Sequence, residues 1–150
     1  MENRGSRTNR DPLSSILHPL AFTYMEQKRY FTLSEANQTL KLIRDWVAHL
    51  TGVKKSIDEK ASEVELLKEK GADNAGSPLG TLYVEELIDL QNTLNRIQEQ
   101  GILVKDLNRG LIDFPHLREG REVYLCWELG EDSIEYWHEV EDGYAGRQKI

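Results

Sequence analysis

The sequence predicts an α+β fold, a long antiparallel two-helix hairpin packed on an antiparallel meander of about four strands. Three observations predict it. From about residue 32 to about residue 69, apolar residues recur at alternating spacings of three and four, the pattern of helices that pack lengthwise. The stretch "KGADNAGSPLG" then breaks the pattern with Gly71, Gly76 and Pro78, and a second segment resumes it. After Gly101 the apolar period changes to two, with a turn signal every few residues.

Residues 1–29 form an N-terminal arm that stands apart from the body. Its first residues, "MENRGSRTNRDP", are polar. In "DPLSSILHPL", Asp11 suits an N-cap and Pro12 the first helical position, while Pro19 limits any helix to about two turns. Residues 30–150 form one α+β domain: a hairpin over about 32–100, a sheet module over about 102–140 and a tail over 141–150. The first helix begins at Thr32 and Glu35, a T-x-x-E capping box. Leu33, Leu40, Val47 and Ala61 hold one heptad position and Ala36, Ile43, Leu50, Ile57 and Val64 the other, with Lys54 interrupting the seam. Such a helix is roughly 55 Å long. In the second helix Tyr83, Leu87, Leu90, Leu94 and Ile97 repeat the spacing, and Gly101 marks its stop. This helix covers only the distal half of the first. The proximal half, with Trp46, must bury its stripe on the sheet.

The strands follow as "ILVKDL", "LIDF" closed by Pro115, "EVYLCWEL" and "IEYWHEV". Short connections between them imply an antiparallel meander. In the third strand Val123, Leu125 and Trp127 face one way and Tyr124, Cys126 and Glu128 the other. A strand apolar on both faces is covered on both sides. The long helix supplies one cover. The N-terminal arm, the C-terminal "GYAGRQKI" or another subunit supplies the second, and a homodimer is the simplest source.

Composition narrows the function classes. Hydrophobic residues make up 39% and charged residues 30%, with a net charge of −7. Residues 1–30 carry a net +2 and the remainder −9. So acidic a body disfavours nucleic acid, whose phosphates need a basic face. No apolar run reaches the length of a membrane span, and the start has no secretory h-region. The single cysteine, Cys126, excludes an internal disulfide and a multi-cysteine zinc site. A reducing cytoplasm is the expected location.

The chemistry-bearing residues gather near the C-terminus. His138 lies in "WHEVEDGY" among Glu139, Glu141 and Asp142. It reads as a histidine capping a strand end, or as a metal ligand or base. His18, His49 and His116 lie in other segments. Asp113, Arg118, Arg121 and Arg147 form a second set, in which arginines can grip carboxylates bidentately and tie the tail to the sheet, or can hold a small anion. Cys126, between Leu125 and Trp127, reads as a small core residue with nothing nearby to lower its pKa. Gly143 and Gly146 let the tail turn and pack closely; they do not precede a helix, as a phosphate loop requires.

The blocks "YFTLSEAN", "GILVKDLNRGLIDFP" and "GREVYLCWELGEDSIEYWHEVEDGYAGRQ" together resemble a family of short prokaryotic proteins that carry a domain of unknown function. The likeness spans about residues 30–150, in three separated blocks matching in order. It implies no activity, cofactor or site residue. It does mark Lys105, Asp106, Asp113, Arg121, Trp137, His138, Gly143, Gly146, Arg147 and Gln148 as positions matching the family motif.

No complete catalytic motif is present, and the leading expectation is a non-enzymatic interaction or structural module that acts as a homodimer, with the hairpin as the surface for a protein partner. The alternative is a small-ligand or metal-binding protein, or an enzyme, with a polar site at the sheet edge around His138. Its ligand-binding members would be Asp113, Arg121, His138 and Arg147. The sequence names no cofactor and leaves the metal open.

Overall fold

A computed structural model describes residues 28–69 and 78–150. The arm upstream of Lys28, with its expected two-turn helix, and the connection 70–77 lie outside the described residues. Two helices precede a single five-stranded antiparallel sheet: α1 (Leu33–Glu69), α2 (Pro78–Gln98), β1 (Leu103–Asp106), β2 (Leu111–Arg118), β3 (Arg121–Glu128), β4 (Tyr136–Glu139) and β5 (Gln148–Lys149). The strands lie side by side in chain order, so the sheet is a simple meander.

The capping box starts α1. The Glu35 N–H donates to Thr32 Oγ1 at 3.2 Å, and the Thr32 N–H donates to the Glu35 carboxylate at 2.8 Å. Both interactions satisfy amides that a helix N-terminus leaves without a partner. Ala36, Leu40, Ile43, Val47 and Leu50 are buried in the core, and Ile57 continues the buried stripe. The helices run antiparallel, since Arg96 stacks on Trp46 at 4.1 Å while Lys60, further along α1, reaches back to Glu86 at 2.9 Å.

The proximal half of α1 packs on the sheet. Its stripe meets Ile112, Phe114, Val123, Leu125, Trp127, Ile134 and Trp137 in one cluster. Register explains why these sheet residues belong together. Ile112 pairs with Trp127, Phe114 with Leu125, and Leu125 with Trp137, so all lie on one face.

Two details differ from the sequence expectation. Pro115 does not close its strand; β2 runs on to Arg118. The Pro115 carbonyl accepts the Phe31 N–H at 2.8 Å, on the side away from β3. A proline nitrogen on that side removes no bond from the β2–β3 ladder, and so the strand continues through it. The tail also adds a fifth strand. Tyr136 and Trp137 pair with Lys149 and Gln148, and the Ile150 N–H donates to the Glu135 carbonyl at 2.9 Å.

Candidate functional site

The face of the sheet opposite α1 carries the other half of each strand. Asp113 pairs with Cys126, Cys126 with Tyr136, and Tyr124 with His138. Alternation therefore sets Asp113, Cys126 and His138 side by side on three neighbouring strands. All three are buried, with Asp113 and His138 each 1% exposed. One ligand-capable atom from each, a carboxylate oxygen, Sγ and a ring nitrogen, lies within 4.8 Å of the others.

Hydrogen bonding fixes the histidine. His138 Nδ1 lies 2.8 Å from the Glu139 carbonyl, which can only accept, so Nδ1 carries a proton and donates it. Nε2 then points at Asp113 Oδ2, 3.2 Å away. In a neutral ring that nitrogen presents a lone pair, and an ionised carboxylate presents another. Two lone pairs face each other unless a proton or a metal ion lies between them. The second oxygen, Asp113 Oδ1, is buried with no hydrogen-bond partner among the described residues. A buried carboxylate oxygen without a partner carries a large desolvation cost.

Burial, and then the neighbouring Asp113 carboxyl, push the Cys126 thiol well above its usual range. A thiol so placed is a poor free nucleophile. Neither ring nitrogen of His138 faces it as a base, since one bonds Glu139 and the other faces Asp113. The arrangement thus lacks the ordering of a cysteine–histidine nucleophilic pair. It does have the donor set of a borderline-soft metal centre: one thiol, one imidazole and one carboxylate.

The C-terminal tail covers this face. Arg147, with its side chain 10% exposed, lies against Cys126 and donates to that residue's carbonyl at 3.3 Å. Its guanidinium is stacked on the Tyr136 ring at 4.2 Å and the Tyr144 ring at 4.9 Å. It also bonds both oxygens of Glu131 at 2.7 Å. Arg109 stacks on Tyr144 at 3.9 Å, and its fork holds the Glu128 carboxyl below the usual carboxylate range. Two glycines permit the turn that brings the tail back. Gly143 has φ +60°, and a Cβ on Gly146 would lie 2.3 Å from that of Asp142. Among the described residues, the C-terminal segment supplies a cover over Cys126.

The remaining candidates divide. Asp113 and His138 meet, and Arg147 lies beside them. Arg121 does not join them: its side chain is 62% exposed and pairs with Glu139 at 3.1 Å. Arg118 stacks on Trp137, a residue of the opposite face. His116 bonds the Phe31 carbonyl and His49 bonds Asp89, so neither reaches the cluster; His18 lies outside the described residues. Lys105 does approach, with Nζ 4.0 Å from Asp113 Oδ2. Cys126 is the member that sequence reasoning set aside as core. The alternation of "EVYLCWEL" already put it opposite Leu125 and Trp127, but only the β2–β3 register brings Asp113 to its side.

No curated protein and no solved structure matches the chain. A family model described as an uncharacterized conserved protein matches residues 29–150, which include both helices, the whole sheet and all three clustered residues. The chain therefore belongs to the DUF2203 family of uncharacterized conserved proteins.

Proposed function

We propose that this protein binds a divalent transition-metal ion of the zinc class through Asp113, Cys126 and His138. The observation that carries the reading is the buried meeting of His138 Nε2 with Asp113 Oδ2 at 3.2 Å beside the Cys126 thiol, while Asp113 Oδ1 is left without a partner. Three features support it. The Glu139 carbonyl holds His138 in the tautomer that offers Nε2, the outer-shell arrangement usual for a metal-bound imidazole. A thiolate, a carboxylate and a neutral imidazole together balance a 2+ charge, which suits a site cut off from water. A thiolate also selects a borderline or soft ion over magnesium or calcium. Three protein ligands leave one tetrahedral position for water or a small ligand, as in catalytic rather than closed structural zinc sites. A reducing cytoplasm is the compartment in which such a ligand stays a thiolate.

Elemental analysis of protein purified without chelator tests the reading. It expects about one zinc-class ion per chain in the native protein, and almost none in Cys126→Ser, Asp113→Asn or His138→Gln. Folded native protein that carries no metal, and takes none up from added zinc, would reject it.

A second reading is favoured by a separate observation. Val84, Leu87 and Ile88 are exposed large apolar residues on one side of α2. Such a stripe suits self-association of hairpins, in keeping with the homodimer expected from sequence. Sedimentation velocity would show a dimer that Ile88→Glu converts to monomer. A native monomer at micromolar concentration would remove this reading and leave the metal centre untouched.

A further inference from the structure

We propose that residues 143–150 act as a latch over the Asp113–Cys126–His138 centre, with the Arg147 side chain as its catch and exchange of the bound ion as the step it controls. The part concerning exchange rests on the metal reading given above; the part concerning the latch does not.

The buried attachment of this segment is concentrated at one residue, Arg147, whose side chain is 10% exposed. β5 contributes only two residues to the sheet. Gln148, Lys149 and Ile150 are exposed, as are Tyr144 and Ala145. Only Arg147 sends a long side chain inward; at the surface the Tyr144 hydroxyl donates to Glu128 at 2.9 Å and the Ile150 N–H to the Glu135 carbonyl at 2.9 Å. Arg147 stacks between the Tyr136 and Tyr144 rings, bonds Glu131 at 2.7 Å and reaches the Cys126 carbonyl at 3.3 Å. Tyr136 is the cross-strand neighbour of Cys126, so the guanidinium that covers its ring also covers the approach to the thiol.

The contacts are of a kind that can release and re-form. A planar cation stacked on rings and forked onto a carboxylate is strong while water is excluded, but it brings no interlocked apolar core with it. The Arg147 Nε is buried with no hydrogen-bond partner among the described residues, so the closed form leaves one donor unmet. The turn that carries the segment is built on Gly143 at positive φ and a 3-10 turn over Tyr144–Gly146, a short pivot a few residues beyond β4. Segments of this sort open locally at a free energy well below that of global unfolding. By contrast, β2 and β3 cannot expose Cys126 without dismantling the core on the opposite face.

Alkylation of the metal-free protein by N-ethylmaleimide tests the latch through a readout that needs no metal. In Arg147→Ala the Cys126 alkylation rate is expected to rise about 30-fold, the factor that a desolvated cation–π contact is worth. Tyr144→Leu should give a smaller rise in the same direction, and Arg147→Lys an intermediate one, since lysine keeps the charge but not the planar fork. A core variant, Val47→Ala, serves as a control of comparable destabilisation. An alkylation rate that rises in Val47→Ala as much as in Arg147→Ala would overturn the latch, because Cys126 would then be reached only by global unfolding. The same variants loaded with zinc and challenged with a colorimetric chelator test the exchange step, with release expected to quicken in the same order. Faster alkylation in Arg147→Ala with no zinc uptake by the native protein would keep the latch and reject the metal reading.

Discussion

The two faces of the sheet are built from the same strands and both carry buried residues, yet they are held by different forces. The α1 face is close-packed hydrocarbon: Ile112, Phe114, Val123, Leu125, Trp127 and Trp137 against a helical stripe. The tail face is polar and aromatic: Asp113, Cys126, His138, Tyr124 and Tyr136, under Arg147. A fold needs only the first of these to be stable. Buried polar groups are costly unless they are paired, and the Asp113–His138 contact leaves one oxygen unpaired. The difference puts the close-packed apolar residues on the helix face and the buried ionisable ones on the tail face.

The largest effect should fall on the helix face. Trp127→Ala removes a fully buried ring and its bond to the Glu131 carbonyl, and it should cost about 3–5 kcal/mol in chemical denaturation. Zinc should stabilise the native protein and Trp127→Ala by equal amounts, so the difference between them persists. If zinc closed that difference, the two faces would not be separable.

Substitutions at Asp113 should separate stability from binding. In Asp113→Ala, His138 Nε2 loses its buried partner, a cost of about 1–3 kcal/mol in metal-free protein. In Asp113→Asn the side-chain amide can donate to that nitrogen, so the metal-free stability should change by less than about 1 kcal/mol. Both variants should lose zinc binding by at least about 100-fold in calorimetric titration. Weak destabilisation with a lost site is the mark of a residue placed for a ligand. An Asp113→Asn variant that bound zinc as well as the native protein would show that the carboxylate is structural.

The smallest effects lie away from both faces, at the start of α1. Thr32→Ala should cost about 1 kcal/mol through loss of the cap and leave zinc affinity unchanged. The Thr32 N–H, and then its hydroxyl, hold the Glu35 carboxyl below the usual carboxylate range. A folded pKa lower than the unfolded one gives stability that is complete above about pH 4.3 and is lost as pH falls through the depressed folded value. The native protein should therefore lose slightly more stability than Thr32→Ala between pH 5 and pH 3, as read by urea midpoints. Equal losses in the two proteins would mean that the box contributes nothing to that pH dependence.

Much of the fold could be read from sequence because its signals are local and periodic. The capping box at Thr32 and Glu35 and the seam from Ala36 to Ile57 specify α1 through spacing alone. Two apolar faces in "EVYLCWEL" specify a doubly covered strand. What escaped depends on pairing. β5 has only two residues, too few to show a period. The strand passes through Pro115 because Phe31, more than eighty residues earlier in the chain, supplies its partner. Asp113 and His138 were singled out as polar residues in strands, but their meeting with Cys126 depends on the β2–β3 and β3–β4 registers. Arg121 was grouped with them as an arginine read into a turn; it is instead the first residue of β3, exposed and paired with Glu139.

Cobalt(II) titration of the metal-free protein tests the central claim most directly, because it reports ligand type as well as occupancy. Saturation is expected at about one ion per chain, with intense visible bands of tetrahedral cobalt and a near-ultraviolet thiolate-to-metal charge-transfer band that Cys126→Ser abolishes. A spectrum with only the faint bands of octahedral, oxygen-bound cobalt, unchanged by Cys126→Ser, would contradict that claim.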